Sequence, residues 1–269
     1  MNTNQNKQSY ALPIAMMFAL FFMIAFVTGL QNPMGVIVKN QFQASNLLSQ
    51  LGNFANFLAY AFMGIPAGLM LQKIGYKKTA LTAILVGIAG VAITFFSGKI
   101  ESFAVYLIGA FVGGFSMCML NTVVNPMLNT LGGEGKRGNQ LLQFGGTLNS
   151  MGATIVPVLV GYLMGDVAKA TISDANPALF LAIGIFVLAF IVLYSMSIPE
   201  PHIVAEKSTE KNTHSPLSFR HFVLGAIAIF VYVGVEVGIP NIANLYMTGD
   251  LQINATTAGT VVGTYWFLM

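Results

Sequence analysis

Long apolar runs, separated by short polar segments, fill this chain from about residue 12 onward. A helix that crosses a membrane needs about 20 consecutive apolar residues. The strands of a membrane barrel instead alternate apolar and polar residues over about 10 positions. The runs here are too long and too continuous for such strands. The pattern predicts an all-α polytopic membrane protein with about eight transmembrane helices, over residues 12–38, 46–71, 79–98, 102–130, 140–164, 177–198, 221–246 and from about 255.

A polar stretch divides these spans into two groups. Residues 199–220 carry three prolines, several Ser and Thr residues and charged side chains of both signs, a composition typical of a linker. The predicted division is an N-terminal six-helix half (1–198), a cytoplasmic linker (199–220) and the start of a C-terminal half (221–269). Because the last apolar run ends at Met269 without a flanking charge, the sequence is expected to be a fragment. A complete eight-helix protein is the alternative.

The charged residues are few and unevenly placed. They make up 8% of the chain, against about 25% in a soluble domain. Lys39, Lys99 and Lys169 fall on one side of the predicted spans. The other nine basic residues fall on the opposite side: Lys7, Lys73, Lys77, Lys78, Lys136, Arg137, Lys207, Lys211 and Arg220.

Basic loops stay in the cytoplasm, so this distribution predicts a multi-pass protein of the plasma membrane (the bacterial inner membrane) with a cytoplasmic N-terminus. The lipid bilayer is thus an expected partner. Nucleic acid is not, because binding it needs a basic face on a soluble module.

Two spans contain an Asn-Pro step at membrane depth, Asn32-Pro33 in the first and Asn125-Pro126 in the fourth. Proline removes a helical hydrogen bond, and asparagine is costly to bury without a partner. Both are tolerated where a helix faces protein or a water-filled cavity. Paired breaks in corresponding spans point to the binding site of a transporter.

Amide side chains recur at helical spacing in four spans. They could join helices by interhelical hydrogen bonds, but four amide-rich stripes exceed what packing needs. Neutral amides both donate and accept, which suits a polyhydroxylated ligand such as a sugar, and no Arg or Lys lies at a span centre to hold an anion. The candidate substrate-binding residues are seven of these amides and one acid: Gln31, Asn32, Asn53, Asn121, Asn125, Gln143, Asn149 and Glu236.

Glu236 is the one ionisable residue placed well inside a predicted span, the seventh. Burying a charged carboxylate in a membrane costs several kcal/mol, so such a residue suggests a function. It could bind a sugar hydroxyl, take up a proton or help to hold a sodium ion, which makes it the coupling-ion candidate. The alternative is a structural pairing beside a watery vestibule.

Catalytic chemistry finds no support in the sequence. The three histidines, His202, His214 and His221, lie in or beside the linker and not at metal-ligand spacing on a helix. There is no H-E-x-x-H motif, nucleophile elbow or filter-like loop. The chain is therefore not expected to be an enzyme or a channel, and no catalytic residue, metal or cofactor is expected.

Four short segments carry a family resemblance. The segment Asn121–Gly132, N-T-V-V-N-P-M-L-N-T-L-G, resembles the Glu-Thr-Ala-Ala-Asn-Pro segment of the fucose permease family of the major facilitator superfamily. Leu148–Gly152, L-N-S-M-G, resembles that family's Phe-Asn-Ser-(Leu/Phe)-Gly. Pro66-Ala67-Gly68 and Gly75-Tyr76-Lys77 are similar to its Pro-Ala-Gly and (Gly/Ser)-Tyr-Lys pattern.

This resemblance implies a major facilitator fold of twelve helices, of which this chain holds about eight. It also implies import of a monosaccharide such as fucose, glucose, galactose or fructose by alternating access, often coupled to a cation. Asn149 carries over as a sugar contact. Asn32 and Asn121 stand where the family has acids and cannot exchange protons, and Gly146 stands where it often has a glutamine.

Two hypotheses follow from these observations. The first is a secondary active or facilitative transporter of a neutral hexose, by proton symport, sodium symport or uniport. The second is a non-transporting receptor or scaffold that keeps the same fold. The particular sugar and the oligomeric state stay open.

Overall fold

The computed structural model describes residues 10–133, 135–164, 170–200 and 216–268, and these form an all-helical bundle. Five helical segments in this part of the chain are long and apolar enough to cross a membrane: α1, α3, α4, the segment Ile172–Ser195 that contains α6, and α7. The helices are α1 (Ala11–Gln41), α2 (Asn46–Ser49), α3 (Leu51–Lys99), α4 (Phe103–Gly132), α5 (Arg137–Met164), α6 (Asn176–Ser195), α7 (Arg220–Gly249) and α8 (Ala255–Leu268).

The long segment α3 holds two spans that fold back on each other at Gly75. Its 49 residues would extend about 74 Å if straight, more than twice the thickness of a membrane core. Gly75 has φ +83° and ψ 175°, a non-helical conformation that suits a residue without a side chain.

Contacts with α4 confirm the fold-back. Ser116 Oγ donates to the carbonyl of Ala83 at 2.6 Å, and Cys118 Sγ lies 3.9 Å from the carbonyl of Tyr60. In a straight helix Tyr60 and Ala83 would lie about 35 Å apart. Both halves of α3 therefore flank the same point of α4. With α3 counted as two spans, the structure confirms the predicted all-α fold.

Glycines allow the helices to approach closely where they cross. A Cβ atom on Gly90 would lie 2.7 Å from the backbone nitrogen of Gly113 in α4. A Cβ atom on Gly29 of α1 would lie 2.9 Å from Val156 Cβ of α5, and one on Gly152 would lie 2.6 Å from Ala25 Cβ. Small residues at such crossings give membrane helices the van der Waals contact that holds them together.

One end of the bundle, called here the Gly75 end, is closed by a carboxylate. Both oxygens of Glu200, which follows α6, accept backbone N–H groups after Gly75: Tyr76 N at 2.6 Å and Lys77 N at 3.0 Å. Lys77 Nζ donates in turn to the carbonyls of Tyr194 and Met196 at the end of α6. These bonds tie the turn between the second and third spans to the end of the sixth.

The opposite end, called here the Gln41 end, is joined by side chains that bond to backbone. Gln41 Oε1 accepts from the backbone N–H of Ile172 at 2.8 Å, and Ser173 Oγ donates to the carbonyl of Gly98 at 3.2 Å. The ends of α1 and α3 thus meet the turn that precedes α6.

Some of the sequence-based predictions lie outside the described residues. These are most of the linker predicted over 199–220, the side chain of Asn32, and the basic residues Lys7, Lys169, Lys207 and Lys211. The division of the chain into two halves and a linker stays a prediction.

Candidate functional site

The best-defined polar group on the inner spans joins Tyr60 of α3 to Asn121 of α4. Asn121 Nδ2 donates to the Tyr60 hydroxyl oxygen at 3.1 Å and to the backbone carbonyl of Met117 at 3.1 Å. A backbone carbonyl can only accept, so the amide nitrogen, and not Oδ1, must face Met117. Both N–H groups of the amide are therefore used, and Oδ1 is the group left to accept.

Asn125 continues this group one helical turn along α4. Its Nδ2 donates to the backbone carbonyl of Asn121 at 2.9 Å, and its side chain is exposed. Pro126 follows within the helix and has no N–H to give to the carbonyl one turn earlier. The helix α4 continues through Pro126, so the predicted break is not present there, but α4 presents amide and backbone oxygens together at this point.

Candidate site residues lie on two different sides of α5, the fifth span. Gly145 and Gly152 pack on α1, and the half-buried Asn149 lies on the same side of α5. Gln143 and Thr147 lie on another side and face an open groove of about 610 Å³. This groove is also lined by Lys136, Asn139, Gln140 and Phe144.

Glu236 lies in the middle part of α7 and is half-buried. The phenol of Tyr232, one turn earlier on the same helix, lies near this carboxylate. The hydroxyl of Tyr265 on α8 donates to the Glu236 backbone carbonyl at 3.2 Å. The carboxylate therefore sits where α7 and α8 meet and has phenol groups around it.

The structure does not gather all the predicted site residues into one cluster. Gln31 faces a small cavity of about 40 Å³ between α1, α3, α4 and α6, together with Tyr106 and Leu179. Asn53 lies toward the Gln41 end, where its Nδ2 donates to Gln50 Oε1 at 2.8 Å and to Asn241 Oδ1 at 3.5 Å. Among the predicted site residues, the structure brings together Asn121 and Asn125.

Two residues of these groups were absent from the predicted candidates. Tyr60 shares the amide stripe of the second span with Asn53, so helical spacing could have identified it. Asn241 follows Pro240 inside α7 and repeats, in reversed order, the pairing of proline and asparagine in the first and fourth spans. That repetition was the available signal for Asn241.

The fold and these groups define a polytopic helical membrane protein whose inner helices carry neutral amides. The sequence profile of the Major Facilitator Superfamily matches residues 17–269. The chain therefore belongs to the Major Facilitator Superfamily, as its motifs predicted. Membership of this transporter family also confirms the prediction that it is not an enzyme.

Several relatives are similar to the chain over most of its length. A glucose/galactose transporter of Brucella abortus is 30% identical over 267 residues, which cover 96% of this chain and 61% of that protein. A putative glucose/galactose transporter of Helicobacter pylori is 29% identical over 97% of this chain and 66% of its own length. The L-fucose-proton symporter of Escherichia coli is 24% identical over 86% and 58%. The chain thus spans about three fifths of the length of these relatives.

Two solved structures share the fold. A major facilitator transporter in the outward conformation superimposes with a TM-score of 0.73, at 21% identity, over 95% of this chain and 68% of that structure. A variant of the E. coli fucose:proton symporter gives a TM-score of 0.66, at 22% identity, over 89% and 63%. At these identities the similarity shows the fold alone.

Proposed function

We propose that the protein imports a neutral monosaccharide across the plasma membrane by alternating access, with its N-terminus in the cytoplasm. The observation that carries this proposal is the uncharged group of Tyr60, Asn121 and Asn125 beside Pro126 of α4. The names of the similar proteins, glucose/galactose transporters and L-fucose-proton symporters, support a sugar substrate.

The chemistry of this group favours sugar hydroxyls over ions. Asn121 Oδ1 accepts, while Asn125 keeps one N–H and its carbonyl oxygen, so hydrogen-bond donors and acceptors lie on adjacent turns. A sugar hydroxyl needs both. We place Asn121, Asn125 and Asn149 at the centre of the proposed site and Gln143 toward its Gly75 end. Asn32, Gln31 and Asn53 stay proposed contacts from the sequence.

The experiment is uptake of a panel of radiolabelled hexoses by cells that express the full-length protein. Loss of one hydrogen bond to an uncharged group costs about 1 kcal/mol, so we expect Asn125→Ala and Asn149→Ala each to raise KM about fivefold or more. Asn46→Ala on the exposed helix α2 is the matched control and should change nothing. Wild-type KM in both site variants would contradict the site. If the wild-type protein transports no hexose, the receptor or scaffold alternative replaces the proposal.

The coupling ion is a separate part of the proposal. The two positions where the family has acids are amides here, so Glu236 is the remaining candidate for binding a proton or a sodium ion. We expect Glu236→Gln to abolish accumulation against a gradient and to leave sugar counterflow intact. Asp250→Asn, at the exposed end of the same helix, is the control. Undiminished accumulation in Glu236→Gln would rule out this role, and a uniporter would accumulate sugar in neither protein.

A further inference from the structure

The hydroxyl of Tyr60 is held in a defined place beside the proposed sugar site. The backbone carbonyl of Tyr60 meets the thiol of Cys118 on α4 at 3.9 Å. Its ring lies 6.0 Å from that of Phe57, one turn away, at an interplanar angle of 36°. The hydroxyl oxygen accepts from Asn121 Nδ2 at 3.1 Å. Both the backbone and the ring thus aim this hydroxyl at a single amide.

The direction of the Tyr60–Asn121 hydrogen bond is set by a third group. The carbonyl of Met117 has no proton, so the Asn121 nitrogen must face it. That nitrogen then presents its second N–H to Tyr60, which must act as the acceptor. No residue in the described part of the chain donates to Asn121 Oδ1. The Asn121 side chain can therefore make a further hydrogen bond only as an acceptor, through Oδ1.

We propose that Tyr60 is a positioning residue: it occupies the second N–H of Asn121 and so makes this amide an acceptor-only contact. The sugar group at this point must then be a hydroxyl that donates its proton. A group that can only accept, such as a C–F bond, gains nothing there. This inference rests on the proposed function and concerns one contact within that site.

The proposal predicts an unusual pattern across sugar analogues. At the hydroxyl that meets Asn121, replacement by hydrogen or by fluorine should raise KM equally in the wild-type protein, because neither donates. Tyr60→Phe frees one N–H of the amide, which can then donate to fluorine. In this variant we expect the deoxyfluoro sugar to bind at least threefold better than the deoxy sugar.

The first experiment compares KM for the parent hexose, the deoxy sugars and the deoxyfluoro sugars in wild type and Tyr60→Phe, using the full-length protein. Tyr162→Phe makes the same change on the exposed side of α5, where the ring is 88% exposed, and should alter no KM. A purely structural role for Tyr60 would move all KM values together, which contradicts the proposal. So would a preference for fluorine over hydrogen already present in the wild type, because Tyr60 itself would then donate to the sugar.

A second measurement tests the Tyr60–Asn121 pair without transport. Thermal unfolding in detergent of Tyr60→Phe, Asn121→Leu and the double variant forms a double-mutant cycle. We expect the shifts of the two single variants to exceed that of the double variant when summed, because each one breaks the same hydrogen bond. Additive shifts would overturn the inference even if a sugar is transported. Coupled shifts without hexose transport would keep the pair and reject the proposed substrate.

Discussion

The side chain of Glu200 joins two parts of the bundle that are far apart in the sequence. It is the residue that caps the third span, because its two carboxylate oxygens each accept one backbone N–H where the helix begins again after Gly75. The absence of a side chain at Gly75 makes room for it, since a Cβ there would lie 2.6 Å from Glu200 Oε2. The cap links residues more than a hundred positions apart in sequence.

We expect Glu200→Gln to lower the stability of the protein by about 1 kcal/mol, the typical value of a lost helix cap. The amide offers one accepting oxygen where the carboxylate offers two, and it lacks the charge that strengthens these bonds. Thermal unfolding in detergent measures the loss. Glu101→Gln, at an exposed position near the Gln41 end, is the control. An equal midpoint for Glu200→Gln and wild type would show that the cap is not stabilising.

Two glycines that face each other, Gly90 of α3 and Gly113 of α4, differ in how much space surrounds them. At the crossing of α3 and α4, a side chain on Gly90 would collide with the backbone of Gly113, whereas a Cβ on Gly113 would meet nothing within 4 Å. We expect Gly90→Ala to separate the helices and lower the unfolding midpoint, and Gly113→Ala to leave it unchanged. The same assay in detergent distinguishes them. Similar decreases of the unfolding midpoint in both variants would mean that the close approach of α3 and α4 at Gly90 is not what stabilises this crossing.

The extents of the elements were predicted less well than their existence. Hydropathy predicted spans over 46–71 and 79–98, while the structure has a short helix α2, then α3 running from Leu51 to Lys99 with one break. Hydropathy reports which residues suit lipid, but a helix continues beyond the lipid wherever its backbone hydrogen bonds continue. The polar segment between the two spans is therefore mostly helical, and only the backbone angles of Gly75 mark the turn.

On the scale of the whole molecule, α7 and α8 meet the first six spans toward the Gln41 end. Among the described residues, Asn53 bonds to Asn241, and Thr154 Oγ1 donates to the carbonyl of Gly263 at 3.3 Å. The groove beside Gln143 lies toward the Gly75 end. The bundle is thus joined at one end and open along α5 at the other.

We expect Asn53→Ala and Asn241→Ala to favour a state that opens at the Gln41 end, because each removes one partner of the bond between the two groups of helices. Rocking of these groups would then close the groove at the Gly75 end. A cysteine placed at Gly146, where the exposed backbone has open space, should be labelled more slowly in both variants. The background is Cys118→Ser, and Asn46→Ala is the control. Unchanged or faster labelling would contradict this assignment.

The sequence by itself determined the class of protein, the number of helices, the family and the presence of amide-rich faces. These properties are local, because span length, residue type and helical spacing depend only on residues that are near one another in the sequence. Only the tertiary structure decided the partner of each amide: Tyr60 for Asn121, Asn241 for Asn53, and a separate small cavity for Gln31. The physical reason is that a hydrogen bond between spans depends on how each helix is rotated about its axis. That rotation is set by close packing at glycines such as Gly90, Gly29 and Gly152.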